Sequence, residues 1–358
     1  MMRKTVLAAL MTAVMAAASV LPVCAAEAAR PEEAPAEYML DWSNLHMGTL
    51  IHSKVMDRDP DKVKRLAETV EEKMRFYDDM MSVHKSSPLN EVNRRAGEAV
   101  EVPAEIADMT IRAFRIAEET DGAFEPMIGP VVNLWKIGFG GEHVPSDKAI
   151  ADAVALVDRS KASVFEENGR WFIRIAPGQS IDMGAIAKGW IGTRIAEILK
   201  AEGMTHGLLD LGGNVVAVGE KAPGQPWRIG IQHPAEERGG YFAVTAVNDE
   251  SVVTSGAYER YFEEGGKRYS HILDPKTGRP SKTDIASVTI IDRDGARADA
   301  LCTALFAMGW DKTRAFLKQR PTLKAVVMHA NMTEAVVTPA AAAVVTPADD
   351  SVKLTTLE

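Results

Sequence analysis

IDMGAIAKGW, from Ile181 to Trp190, decides how the middle of this chain is read. It sets an acid (Asp182), two glycines (Gly184, Gly189), small residues and one lysine (Lys188) within a single turn's reach. Behind it, Trp190, Ile191, Ile195, Ile198 and Leu199 share one face at helical spacing, so a turn enters a helix here. Such a turn lets main-chain groups approach an anionic ligand. A plain strand-to-helix turn with Lys188 in solvent has the same pattern, and both readings stand. The spacing is neither that of a Walker phosphate loop nor that of a dinucleotide fingerprint.

Outward from this stretch, strands and helices alternate without a linker. Asp59 to Met81 is an amphipathic helix, with Val63, Leu66, Val70, Met74 and Tyr77 in register and Pro60 near its start. Val83 to Gly97 is polar and irregular. Pro103 opens a helix to Thr120, and Asp121-Gly122 ends it. Ala123 to Trp135, punctuated by glycine and proline, reads as a loop wall. Asn168-Gly169 marks a hairpin. Strands are expected at 207–211, 215–218, 228–232, 241–247, 287–291, 323–329 and 333–337, with a buried helix at Ala298–Met308. The pattern predicts one mixed α/β domain over residues 39–338. VVTPA occurs twice after Val336, and two short copies make no solenoid, so residues 339–358 are expected to be a disordered tail.

The two ends of the charge scale exclude some roles. The formal charge is −9, and it is −11 without residues 1–26, which hold two bases and no acids. Such a chain is a poor nucleic-acid binder and suits a site that collects divalent cations. Residues 1–26, with Arg3 and Lys4, an alanine-rich apolar run and a small-residue region, read as an export signal, followed by a flexible leader at 27–38. Leu21-Pro22-Val23-Cys24 compares with a lipoprotein box that would anchor the mature protein through Cys24. Val23 stands where Gly, Ala or Ser is usual, and ordinary cleavage is favoured. Cys302 is the only other cysteine, so ordinary cleavage leaves no intramolecular disulfide.

Four more stretches carry candidate chemistry. In RADALCTALFAMG, Asp299 and Thr303 are four apart on a helix of mostly apolar neighbours. A buried carboxylate needs a partner, and hard oxygen ligands suit magnesium; a helix-start cap with a back-bonded threonine is the plainer account. In YSHILDPKTGRP, His271 sits at a strand end before a turn, beside Ser270 and Asp274, with Ser255 close by in TSGAYERYF. LLDLGGN brings backbone close through Gly212-Gly213 or forms a simple hairpin. In DGAFEP…LWKIG, Phe124 and Trp135 flank a planar ligand with Glu125 at its edge, or else belong to the core.

Taken in order, MGT, GAFEP…LWKIGF, DMGAIAKGW, LLDLGGN, PWRIGIQHP, TSGAYERYF, YSHILDPKTGRP and ADALCTALFAMG resemble the ApbE family of FAD:protein FMN transferases over about Leu45 to Val337. The resemblance implies that family's mixed α/β (α+β) fold, related to T-fold proteins and not to Rossmann domains. It implies an exported, periplasmic enzyme that binds FAD with Mg2+. Such an enzyme moves FMN onto a Thr or Ser hydroxyl of an acceptor flavoprotein subunit as a phosphoester and releases AMP. The metal site maps onto Asp299, Thr303 and the Ala185 carbonyl. Flavin contacts map onto Met47, Ala123, Phe124, Glu125, Asp182, Lys188, Gly256 and Ala257, and the base onto His271. Glu125 and Asn214 stand where the family often has aspartate, and His84, in a short SVHKSSPLNEVN segment, stands where an aromatic is common. Two rival activities use the same residues: an FAD pyrophosphatase giving FMN and AMP, and an exported FAD-binding protein without catalysis.

Overall fold

Nine strands build the central sheet of the computed structural model, which describes residues 37–83, 86–237 and 239–358. They are β1 (Tyr38–His46), β2 (Thr49–Asp57), β3 (His206–Asp210), β4 (Asn214–Gly219), β5 (Ser251–Gly256), β6 (Ile285–Asp292), β7 (Lys324–His329), β8 (Glu334–Val337) and β9 (Lys353–Thr356). Their order in the sheet is their order in the chain. Every neighbouring pair is antiparallel except β8 and β9. The fold is thus mixed α/β with an antiparallel sheet. A doubly wound nucleotide fold has parallel strands joined by crossover helices, whereas this sheet is antiparallel apart from its last pair. The expected export signal, Cys24, nearly all of the expected leader and His84 lie outside the described residues. Strand β1 begins at Tyr38, inside the expected leader.

Side-chain alternation explains how the sheet is covered. On β5 and β7, Val253, Ala325 and Val327 face one core, while Val252, Val326 and Met328 face another. A register shift between Ile285 and Ser287 reverses the pattern along β6, whose Val288 and Ile290 face the first core. Burial on both faces is why β7 reads as a continuous apolar run, Ala325–Met328, rather than an alternating one.

Among the helices that contribute to the first core are α1 (Pro60–Met81), α2 (Ala187–Ala201) and α3 (Gly295–Met308). Helix α1 buries the expected stripe of Val63, Leu66, Val70, Met74 and Tyr77, and the Asp59 carboxylate caps it by accepting from the Asp61 amide. Trp227, Ile229, Ile231 and Phe242, from a small sheet of Trp227–Gln232, Tyr241–Val247 and Val345–Pro347, fill the second core.

Three expectations are corrected. The irregular segment 83–97 contains a helix, Pro88–Arg94, whose start is fixed by Pro88 and by the Ser87 hydroxyl accepting from the Asn90 amide (2.9 Å). The loop wall 123–135 is a 3₁₀ turn, Pro126–Ile128, running into a helix, Gly129–Trp135; each proline sits in a first turn, where its missing N–H costs nothing. The tail 339–358, expected to be disordered, forms a helical turn (Pro339–Ala342) and two paired strands, Val345–Pro347 and β9. Part of it belongs to the core: Ala341, Val345, Val352 and Leu357 are buried. The Thr338 hydroxyl accepts from the Ala325 amide (3.0 Å) and donates to the Leu323 carbonyl (2.7 Å), which ties the tail to β7.

Candidate active site

The site begins where α2 and α3 cross. Gly189 and Gly295 meet so closely that a Cβ on Gly189 would overlap the Gly295 carbonyl and come 2.8 Å from the Asp299 Cβ. This approach lets the Gly189 amide donate to Asp299 Oδ2 at 2.9 Å, and Thr193 Oγ1 closes the crossing by accepting from the Gly295 amide at 2.9 Å. Gly189→Ala is expected to destabilise the protein by about 1–3 kcal/mol or more, as overpacking does in rigid cores. A lowered urea midpoint at unchanged slope checks this, and an unchanged midpoint would mean the helices can part freely.

Asp299 is almost wholly buried. Burial raises its pKa, while the charge of Lys188, the Gly189 N–H and the Asn214 side chain pull the other way. Thr303, one turn further along α3, lies 3.3 Å through its hydroxyl from Ser255 Oγ on β5. Ala185 belongs to the turn just before α2. An α-helix would aim the Gly189 N–H at the Ala185 carbonyl; here that N–H goes to Asp299, and among the described residues no backbone hydrogen bond reaches the carbonyl. Asp299, Thr303 and Ala185 thus offer one carboxylate, one hydroxyl and one carbonyl.

His271 is held twice by one carbonyl. Its backbone N–H and its ring Nδ1 both lie 3.1 Å from the Arg260 carbonyl oxygen. A carbonyl only accepts, so Nδ1 carries the proton and Nε2 keeps its lone pair. Burial, aided by the charges of Arg260 and Lys188, pushes the pKa down to about 4. At neutral pH the ring is an uncharged acceptor through Nε2.

The residues mapped to the flavin fall into three places. Met47, with a φ of 51°, makes the β1–β2 turn, and Thr49 beside it packs against Gly212 of the β3–β4 turn. Gly256 ends β5 under the Tyr258 ring, with Ala257 next in the chain. Asp182 accepts from the Gly184 amide (2.8 Å) and donates its own N–H to the Pro126 carbonyl (2.8 Å), which binds this loop to the segment holding Ala123, Phe124 and Glu125. Phe124 is buried, and its amide donates to Thr120 Oγ1 (3.2 Å).

Both carboxylate oxygens of Glu125 are engaged, by Arg159 Nη1 at 2.6 Å and by the Met127 amide at 3.1 Å. Burial raises its pKa against the pull of both partners. Arg159 was missed by sequence reasoning, since nothing local links it to a residue 34 positions away. Trp135 is core, its Nε1–H donating to the Gly278 carbonyl (2.7 Å).

The charge of Lys188 acts on the pKa of both Asp299 and His271. Among the described residues no three His, Cys, Asp or Glu side chains gather into a cage. An open set of hard oxygens around one buried carboxylate fits Mg2+, which keeps water and phosphate oxygens in its shell. Clefts of ≈ 440 Å³ between β1 and α1, and ≈ 510 Å³ beside Trp190, are lined by none of the residues assigned to metal, flavin or base.

A sequence profile described as the ApbE family matches residues 47–327. A Klebsiella pneumoniae protein named FAD:protein FMN transferase is 35% identical over 292 residues, 81% of this chain and 89% of that one. A Treponema pallidum protein of the same name is 36% identical over 302 residues, 79% and 83% of the two chains. Among solved structures, the ApbE protein of Thermotoga maritima gives a TM-score of 0.75 at 31% identity, covering 82% of this chain and 95% of that one. The apo form of the Pseudomonas stutzeri flavinyl transferase ApbE gives 0.74 at 29%, covering 86% and 97%.

Proposed function

The chain belongs to the ApbE family, and from that premise we propose that it transfers FMN from FAD to a Thr or Ser hydroxyl of an acceptor protein. The relatives' shared name, FAD:protein FMN transferase, supports the donor and the transferred group. The observation that carries the reading within this chain is the 2.9 Å bond from the Gly189 amide to the buried Asp299, which sets the turn and helix start bearing Ala185 and Lys188 against the helix bearing Asp299 and Thr303. A carboxylate, a hydroxyl and a lysine thus come from two elements in direct contact.

In the proposed step the acceptor oxygen bonds to the FMN phosphorus, and the bond from that same phosphorus to the bridging oxygen of the pyrophosphate breaks. AMP leaves with the electron pair, and the acceptor's proton passes to His271 Nε2. Magnesium, held by Asp299, Thr303 and the Ala185 carbonyl, would neutralise the pyrophosphate and ease loss of AMP. Lys188 adds charge on the phosphate side. Asp182 holds its loop against the Pro126 carbonyl, and so keeps Ala185 and Lys188 in place relative to the Phe124–Glu125 segment. The same proposal takes residues 1–26 as an export signal and the acceptor as an exported or membrane-facing flavoprotein subunit.

Mass measurement of a candidate acceptor after incubation with enzyme, FAD and magnesium tests the reading. An added FMN with one AMP released per adduct is expected. Rapid FMN release with no acceptor present would make the protein a pyrophosphatase, and intact FAD beside a competent acceptor would make it a carrier.

A further inference from the structure

Asn214 is buried, 3% exposed, and its Nδ2 makes no hydrogen bond of ordinary geometry. A buried donor left open is costly and calls for a partner that arrives with function. The backbone around it is well fixed. Gly212 and Gly213 turn the chain with φ values of 70° and 96°, the Leu211 amide donates to the Asn214 carbonyl at 2.9 Å, and Val253 of β5 pairs alongside. The carbonyl of Val253, the residue paired with Asn214, accepts from Cys302 Sγ at 2.9 Å, one turn from Asp299 on α3, so the start of β4 lies beside the helix that carries Asp299, whose pKa the Asn214 side chain helps to lower. Gly189 reaches the same carboxylate from α2. The donor from the helix start is closed on this acid, and the donor from the strand start is open.

We propose that Asn214 is a positioning residue of the cation site: its Nδ2 donates to Asp299 when that carboxylate holds the ion, and so fixes the direction of the oxygen left for the metal. Ligating carboxylates are commonly oriented by such outer hydrogen bonds. The proposal rests on the reading of Asp299 as a cation ligand.

The test titrates Mn2+ into the metal-free full chain, followed by electron paramagnetic resonance, for the native protein and for Asn214→Ala, Asn214→Ser and Asp299→Asn. Asn214→Ala is expected to weaken Mn2+ binding about 10–100-fold, the range for lost outer-shell partners. It should raise the half-saturating magnesium for transfer by a similar factor, with kcat returning toward the native value at saturating magnesium. FAD binding without metal should not change. Asn214→Ser, a smaller perturbation that keeps a donor, should fall between.

Native Mn2+ affinity in Asn214→Ala, with Asp299→Asn losing it, overturns this inference alone. Native affinity in Asp299→Asn overturns the cation site itself. Loss of affinity that tracks a fall in unfolding midpoint and in metal-free FAD binding for both Asn214 variants shows a purely structural residue, and also overturns the proposal.

Discussion

Asp299→Asn is expected to abolish FMN transfer, by at least about 10³-fold, because metal charge stabilisation of the transition state is worth several kcal/mol. Asparagine is the informative replacement. Its amide oxygen can still accept from the Gly189 N–H, so the α2–α3 crossing keeps its 2.9 Å contact while the charge disappears. Stability should separate from activity in this variant. Burial raises the pKa of Asp299. The unfolded chain therefore gives up this proton at lower pH than the folded one, and the metal-free protein loses stability as pH rises between those two values.

At neutral pH the native protein carries that cost and should gain thermal stability when magnesium is added. Asp299→Asn should start as stable as the native protein, or more so, and gain nothing from magnesium. Melting curves with and without the ion, beside transfer assays, check both statements. Full transfer activity in this variant would remove Asp299 from the metal site.

His271→Ala should slow transfer by about 10²–10⁴-fold, the usual contribution of a positioned general base, with FAD affinity near native. The pH dependence distinguishes this base from an ordinary surface histidine. With its pKa pushed down to about 4, His271 remains neutral through the physiological range. An acid limb due to this ring should lie near 4 and not near the usual histidine value.

The sign for stability follows. The unfolded chain takes up a proton at higher pH than the folded ring does, so acidification between the two values destabilises the native protein, and His271→Ala flattens that slope. Nitrogen chemical shifts of the ring should report a neutral imidazole protonated at Nδ1. A ring protonated at Nε2, or FAD binding lost with residual turnover unchanged, would make His271 a ligand contact and not a base.

The legible parts of this fold were those whose pattern is local. Helix α1 announces itself through its apolar spacing and Pro60, and Asp299 with Thr303 stands out as a polar pair on an apolar helix. The misread parts drew their stability from elsewhere. Pro339–Ala342 and Val345–Pro347 are too short to hold their shape alone, and they are ordered by Thr338 and by pairing with Tyr241–Val247. The prolines at 126 and 130 were taken as breaks, although proline in a first turn starts a helix as readily as it ends one.

The site shows the same division. DMGAIAKGW and DALCT were visible separately, but the bond from Gly189 to Asp299 spans 110 positions. The tautomer of His271 depends on a carbonyl 11 residues away, and the engagement of Glu125 on Arg159. No periodicity encodes such pairings.

The sheet order has a topological consequence. Because β1 to β9 lie side by side in the order in which they are synthesised, the sheet can grow by accretion at one margin, and no strand must be threaded between two that are already paired. The one long wait falls between β2 and β3, whose intervening chain carries α1, α2 and the DMGAIAKGW turn. The flank of β2 that β3 will occupy stays open until that segment has emerged.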